Sequence, residues 1–243
     1  MKPNKLIVAL DVDSVEQARQ LVTQLRDVVG MFKVGSQLFT AAGPELVREI
    51  VSGGNKVFLD LKFHDIPNTV AAAAVEATRL GVSIFNVHAS GGSEMMERTA
   101  HAVAETSQKE QLPKPAVIAV TLLTSANEAT LRELGIDAQP DKLVTHLAQM
   151  AAVAGLDGVV ASAKEAPVIR TASPDDFLIV TPGVRPAGAR AGDQKRITTP
   201  REAIERGADY IVVGRPILRA ADPVHAAAQI IEEITDASQP AAL

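Results

Sequence analysis

The run Phe58-Leu59-Asp60-Leu61-Lys62-Phe63-His64-Asp65-Ile66-Pro67-Asn68-Thr69 carries an apolar strand into a helix. Successive side chains of a strand alternate faces, so Asp60 and Lys62 project from one face while Leu59 and Leu61 take the other and pack on hydrophobic neighbours. Pro67 suits the first turn of a helix. With Asp65 three residues further on, the spacing D-x-K-x-x-D sets an ammonium between two carboxylates where the strand ends. Flanking carboxylates favour the charged form of a lysine, which reads as a proton donor rather than an imine-forming nucleophile. Taken alone, the same residues also suit a strand-end salt bridge followed by an aspartate that helps start a helix.

Similar units recur along the chain. Apolar, β-rich runs fall at Leu6–Leu10, Met31–Val34, Lys56–Leu61, Ser83–Val87, Ala116–Thr121, Gly158–Ala161, Phe177–Thr181 and Tyr210–Val213. Between them lie helical patterns at Ser14–Val28, Pro44–Ser52, Pro67–Leu80, Ser93–Ser107, Asp141–Ala154, Ala163–Thr171 and Pro200–Arg206, several opened by Ser, Asp or Pro. Continuous apolar strands alternating with helices imply a parallel sheet covered on both faces. Eight such units predict an α/β fold, a single (β/α)8 TIM barrel over residues 1–243, and a chain of 243 residues with 47% hydrophobic content matches that size. A doubly wound sheet would carry a Gly-rich turn after its first strand, where this chain has Asp11-Val12-Asp13-Ser14.

The net charge of −5, with 3% aromatic residues and no Trp, supplies neither a basic footprint nor a stacking platform for nucleic acid. Small-molecule chemistry is the expectation. The absence of cysteine excludes disulfides, thiolate metal sites and cysteine nucleophiles. The apolar stretch Leu6–Leu10 is too short for a signal core or a membrane span, so a cytoplasmic protein without membrane partners is expected.

Barrel active sites lie at the C-terminal strand ends, and the polar residues there are Asp11, Lys33, Asp60, Lys62, His88, Thr121-Leu122-Leu123-Thr124-Ser125, Thr181-Pro182-Gly183-Val184-Arg185 and Gly214-Arg215. Asp11 also suits a helix start, and His88 a packed core histidine. Lys33 needs a partner in a barrel strand, and Asp11 and Asp60 on the adjoining strands are the candidates. The run Gly183–Arg196 is Gly-rich, lacks hydrophobic periodicity, and carries Arg185, Arg190, Lys195 and Arg196 against one acid, Asp193. Long loops after strands seven and eight of barrels often build phosphate sites. Gly214-Arg215, followed by a short helix at Pro216-Ile217-Leu218, offers backbone N–H groups and a guanidinium to a dianion. A phosphorylated substrate follows.

Val8-Ala9-Leu10-Asp11, Phe32-Lys33-Val34-Gly35, Asp60 to Thr69, Leu123-Thr124-Ser125, Thr181 to Arg185, Gly192-Asp193-Gln194 and Val213-Gly214-Arg215-Pro216 together resemble the orotidine 5′-phosphate decarboxylase family of the bacterial type. The likeness spans nearly the whole chain. The D-x-K-x-x-D element alone is similar to a wider group that includes sugar-phosphate decarboxylases and aldolases. The continuation Ile66-Pro67-Asn68-Thr69 and the Gln194 and Arg215 pairing are the specific part.

The resemblance implies a metal-free, cofactor-free decarboxylation of orotidine 5′-phosphate to uridine 5′-phosphate. Asp11 and Lys33 would contact the ribose hydroxyls. Lys33, Asp60, Lys62 and Asp65 would form an alternating charge array, with Lys62 protonating C6 of the pyrimidine. Asp65 and Thr69 would reach across a homodimer interface into the partner's site. Thr124 and Ser125 would lie near the sugar and base, Pro182 would pack on the ring, and Arg185, Gln194, Gly214 and Arg215 would hold the phosphate. The sequence leaves two alternatives: a sugar-phosphate lyase or isomerase using Mg²⁺ or a Lys62 imine, and a non-catalytic binder of phosphate ligands.

Overall fold

Eight short strands, each apolar through its middle, bury both of their faces. The structure, a computed structural model, describes residues 4–186 and 198–237. Strands β1 (Leu6–Ala9), β2 (Met31–Gly35), β3 (Val57–Phe63), β4 (Ile84–His88), β5 (Ala116–Val120), β6 (Gly158–Val160), β7 (Leu178–Pro182) and β8 (Tyr210–Val213) pair in parallel with their sequence neighbours. β8 returns to β1 with Leu6 opposite Ile211 and Val8 opposite Val213, closing the barrel in the order 1 to 8. The expected (β/α)8 TIM barrel is what forms.

The period of two sorts each strand into an inner and an outer set. Ile7, Met31, Phe58, Ile84, Ile118, Val180 and Val212 fill the barrel interior as one cluster. Leu6, Val8, Phe32, Val34, Val57, Leu59, Phe85, Val117, Val159, Ile179 and Ile211 join the second, larger cluster between sheet and helices. At β6 the strands approach so closely that a Cβ on Gly158 would lie 2.3 Å from the Leu178 carbonyl oxygen, so only glycine fits.

The helices are α1 (Val15–Leu25), α2 (Ser36–Ser52), α3 (Pro67–Arg79), α4 (Ser93–Glu110), α5 (Glu128–Glu133), α6 (Pro140–Val153), α7 (Ala166–Ala172), α8 (Pro200–Glu205), α9 (Arg215–Leu218) and α10 (Pro223–Ala237), with a 3₁₀ turn at Ala89–Gly91. Ser14 caps α1, its hydroxyl accepting from the Gln17 amide at 3.2 Å, and the helix ends at Leu25 rather than Val28. The helix expected at Pro44–Ser52 is the second half of α2, which kinks at Gly43 (φ 65°) immediately before Pro44. α5 occupies a segment that carries no helical periodicity and is held by an Asn127 cap on the Thr130 amide. α7 begins at Ala166, three residues later than the sequence pattern places it.

The largest departure from a regular strand is in β3. Leu59 pairs with Phe85 and Phe63 with Val87, so the register shifts and Asp60, Leu61 and Lys62 stand opposite Asn86 alone. Lys62 takes a left-handed backbone with φ 53°, a conformation that a non-glycine residue adopts only when its surroundings impose it.

Candidate active site

The inward-facing positions that fill the barrel interior turn polar at the C-terminal end. On β2 this position is Lys33, which is 8% exposed. Its Nζ lies 3.1 Å from Asp11 Oδ1 and 3.2 Å from Asp60 Oδ2. A buried ammonium requires such pairing, because an isolated one carries a desolvation penalty of several kcal/mol. Gly35 makes room for it, since a Cβ there would lie 2.8 Å from Lys33 Nζ. Asp60, on β3, turns its other oxygen to Lys62, with Oδ1 and Nζ 2.6 Å apart. Asp11, Lys33, Asp60 and Lys62 therefore form a continuous chain of alternating charge across β1, β2 and β3.

Asn86, a residue that the sequence reading did not select, completes this array. Fully buried on β4, it donates from Nδ2 to Asp60 Oδ1 at 2.7 Å and accepts at Oδ1 from the Lys62 backbone N–H at 2.8 Å. Its signal lay in the run Ile84-Phe85-Asn86-Val87-His88, where a lone amide shares the inward parity of Ile84 and His88. His88, at the end of β4, has its ring 5.4 Å from that of His64. Burial pushes the His88 pKa below its ordinary value; the charges of His64 and Lys62 act in the same direction, and Asp60 opposes them.

Asp65 does not join the array within the chain. Its side chain accepts from the Ile66 amide at 2.6 Å, and among the described residues it makes no ion pair with Lys62, so within one subunit the ammonium is paired with Asp60 alone. Asp65 and Thr69 lie exposed at the start of α3 beside Ile66, which is 67% exposed. Thr124 and Ser125 are exposed on the loop between β5 and α5. Pro182 ends β7, and Arg185 is buried just beyond it, its backbone N–H bonded to the Thr198 carbonyl at 3.0 Å. Gly214 brings the end of β8 against Asp11, since a Cβ there would lie 3.7 Å from Asp11 Oδ2. The half-buried Arg215 follows as the first residue of α9. Gln194 lies outside the described residues. The charge array and the Gly214-Arg215 corner thus meet at Asp11, so a ligand with its reacting carbon at Lys62 can place an anionic tail over β8.

Residues 4–230 match the model of the orotidine 5′-phosphate decarboxylase / HUMPS family. The orotidine 5′-phosphate decarboxylase of Syntrophotalea carbinolica is 56% identical over 233 residues, 96% of either chain. That of Geobacter sulfurreducens is 55% identical over 230 residues, 95% of either chain. Among solved structures, the orotidine 5′-phosphate decarboxylase of Lactobacillus acidophilus superimposes with a TM-score of 0.84 at 39% identity, covering 95% of this chain and 99% of that one.

Proposed function

Because the chain belongs to the orotidine 5′-phosphate decarboxylase / HUMPS family, we propose that the array Asp11, Lys33, Asp60 and Lys62 is its catalytic centre and that Lys62 is the proton donor. The reaction is the decarboxylation of orotidine 5′-phosphate to uridine 5′-phosphate in pyrimidine biosynthesis. The bond from C6 to the carboxylate breaks heterolytically, the electron pair stays on C6, and CO₂ leaves. Lys62 Nζ gives C6 a proton and regains one from solvent.

The pyrimidine ring has no electron sink of the pyridoxal or thiamin type, so the stabilisation must be electrostatic and fixed in advance. The observation that carries this reading is the 2.6 Å contact of Lys62 Nζ with Asp60, inside a chain of charges whose other lysine is buried. An ammonium held there loses little orientational freedom when the carbanion forms beside it. Asp60 is ion-paired with Lys33 and accepts from Lys62 and Asn86, which neutralises much of its charge. Its main action is therefore to orient Lys62. A bare carboxylate about 4 Å from the substrate carboxylate at an effective dielectric of about 20 would add about 4 kcal/mol of repulsion, and the three partners reduce that figure.

Asp11 and Lys33 take the ribose hydroxyls, Thr124 and Ser125 the sugar and base, and Pro182 packs on the ring. Arg185, Gln194, Gly214 and Arg215 hold the phosphate. Asp65 and Thr69, exposed at the head of α3 beside Ile66, complete the site of a second copy in a homodimer. No helix among the described residues is long and apolar enough to cross a membrane, and we place the enzyme in the cytoplasm with the soluble substrate it consumes. The test is an ultraviolet assay of orotidine 5′-phosphate loss with and without EDTA. Turnover unaffected by chelator supports the reading. Loss of turnover with EDTA, or tight nucleotide binding with no turnover, overturns it.

A further inference from the structure

Asn86 sits where β3 abandons regular pairing. Three residues, Asp60 to Lys62, stand opposite it, and its amide bridges the first and the last of them, donating to the Asp60 side chain and accepting from the Lys62 backbone. These are the carboxylate that orients the ammonium and the main-chain unit that bears it. An aliphatic residue of similar size would leave the Lys62 N–H without its partner in a strand that has already lost its ladder bond there. It would also remove one of the donors that fix the Asp60 rotamer.

We propose that Asn86 is a positioning residue for the decarboxylation: it locks Lys62 in its left-handed backbone and Asp60 in its bridging orientation, so that the ammonium is in place before substrate arrives. The inference rests on the reading of Lys62 as the proton donor. It differs from a general core role in what it predicts for kcat. Rotating Asp60 or relaxing the Lys62 backbone moves the ammonium relative to C6, whereas the groups that grip ribose and phosphate sit on other strands.

Two substitutions test it. Asn86→Asp keeps the volume and the acceptor for the Lys62 N–H but turns a carboxylate toward Asp60. The charged or titratable groups around this position are Asp60 and Lys62 on β3, Lys33 on β2 and His88 on β4 itself; β5 contributes Ile118 and Val120. Two facing carboxylates share a proton readily, so acidification restores a donor between them. At pH 8 the kcat of Asn86→Asp should fall on the order of 10²-fold, the usual effect of removing one preorganised donor, with KM and the affinity for uridine 5′-phosphate changed less than about threefold. Its kcat relative to wild type should rise as the pH is lowered toward 5, and the same comparison in a His88→Gln background removes the titration of His88 from the ratio. Asn86→Ser, which keeps a smaller donor and acceptor, should lose less than Asn86→Asp at pH 8 and show no such rise. Near-wild-type kcat at pH 8 in both variants, or a loss in Asn86→Asp that does not diminish on acidification, overturns the assignment. The stoichiometry of nucleotide binding, titrated on the same preparations, reports the folded fraction and corrects kcat for it. Lys62→Ala assayed alongside separates the two readings: substantial turnover in that variant refutes the donor role of Lys62, whatever Asn86 does.

Discussion

Lys62 Nζ and Asp60 Oδ1 lie 2.6 Å apart although the two residues belong to one irregular stretch of strand, with Lys62 at φ 53°. In a regular strand such side chains run parallel and free. Here the left-handed backbone and the register shift against β4 fix where the ammonium points. The strain of that conformation, of order 1–3 kcal/mol, is offset by the hydrogen bonds that enclose it.

If Lys62 is the proton donor, replacing it with Ala should reduce kcat by more than the 10²–10³-fold typical of losing one electrostatic donor, because both charge stabilisation and the proton would be lost. Binding of uridine 5′-phosphate, measured by calorimetry, should be largely kept, since an ammonium in that role acts on the developing carbanion. A variant that retains substantial turnover would remove Lys62 from the mechanism.

Arg215→Ala should lower kcat/KM for orotidine 5′-phosphate by about 2–5 kcal/mol, the usual effect of unpairing a buried charge pair. If Arg215 holds the phosphate, orotidine without its phosphate should be a poor substrate for both proteins and scarcely distinguish them, since its binding would not use the guanidinium. Equal damage to both substrates would mean that Arg215 supports the fold around α9 rather than the phosphate.

Much of this was legible from residue patterns, and the exceptions have physical causes. Strand count and closure follow from eight apolar runs alternating with helical patterns, and a period of two brings Lys33 and Asp60 together at the inner face. The first half of α2 was hidden because Gly43-Pro44 reads as a helix breaker, whereas the fold kinks there and continues. The left-handed Lys62 carries no sequence mark, since lysine has no preference for that conformation, and its N–H is bonded to Asn86, distant in sequence. The D-x-K-x-x-D spacing suggested two carboxylates on one ammonium, but the strand ends between them and Asp65 turns to the Ile66 amide.

His88 should titrate below its ordinary value near 6.5, chiefly because it is partly buried, with His64 and Lys62 adding to the shift against Asp60. The unfolded chain then takes up this proton first on acidification. The contribution of His88 to stability is complete above pH 6.5 and declines as the pH falls toward the folded midpoint. The imidazole resonances of His88, assigned through His88→Gln, check this, as does urea unfolding from pH 7 to 5, which should be less acid-sensitive in the variant. A midpoint at or above 6.5 would contradict the burial described.

Gly158→Ala should destabilise the barrel by about 1–3 kcal/mol, the cost of forcing an extra methyl into a packed interior, because the new Cβ would meet the Leu178 carbonyl at 2.3 Å unless β6 and β7 separate. The denaturant midpoint should drop with an unchanged slope. An unchanged midpoint would show that the two strands part easily.

Asp65 tests whether sites are shared between subunits. Its exposed carboxylate, beside Ile66 at the head of α3, accepts from the Ile66 amide and makes no ion pair with Lys62 among the described residues, which leaves it available to a partner's site. If it does so, Lys62→Ala and Asp65→Ala homodimers should both be nearly inactive, while a dimer of one with the other has one site carrying both lesions and one carrying neither. With random exchange about half the dimers are mixed and each has one good site of two, so about a quarter of wild-type activity should return on mixing, as two-fold symmetry requires. Purified heterodimers from differently tagged, coexpressed subunits should reach about half of wild type by the same count. Activity no higher than that of the separate mutants, in a verified heterodimer, would assign Asp65 to the site of its own subunit and refute the shared interface.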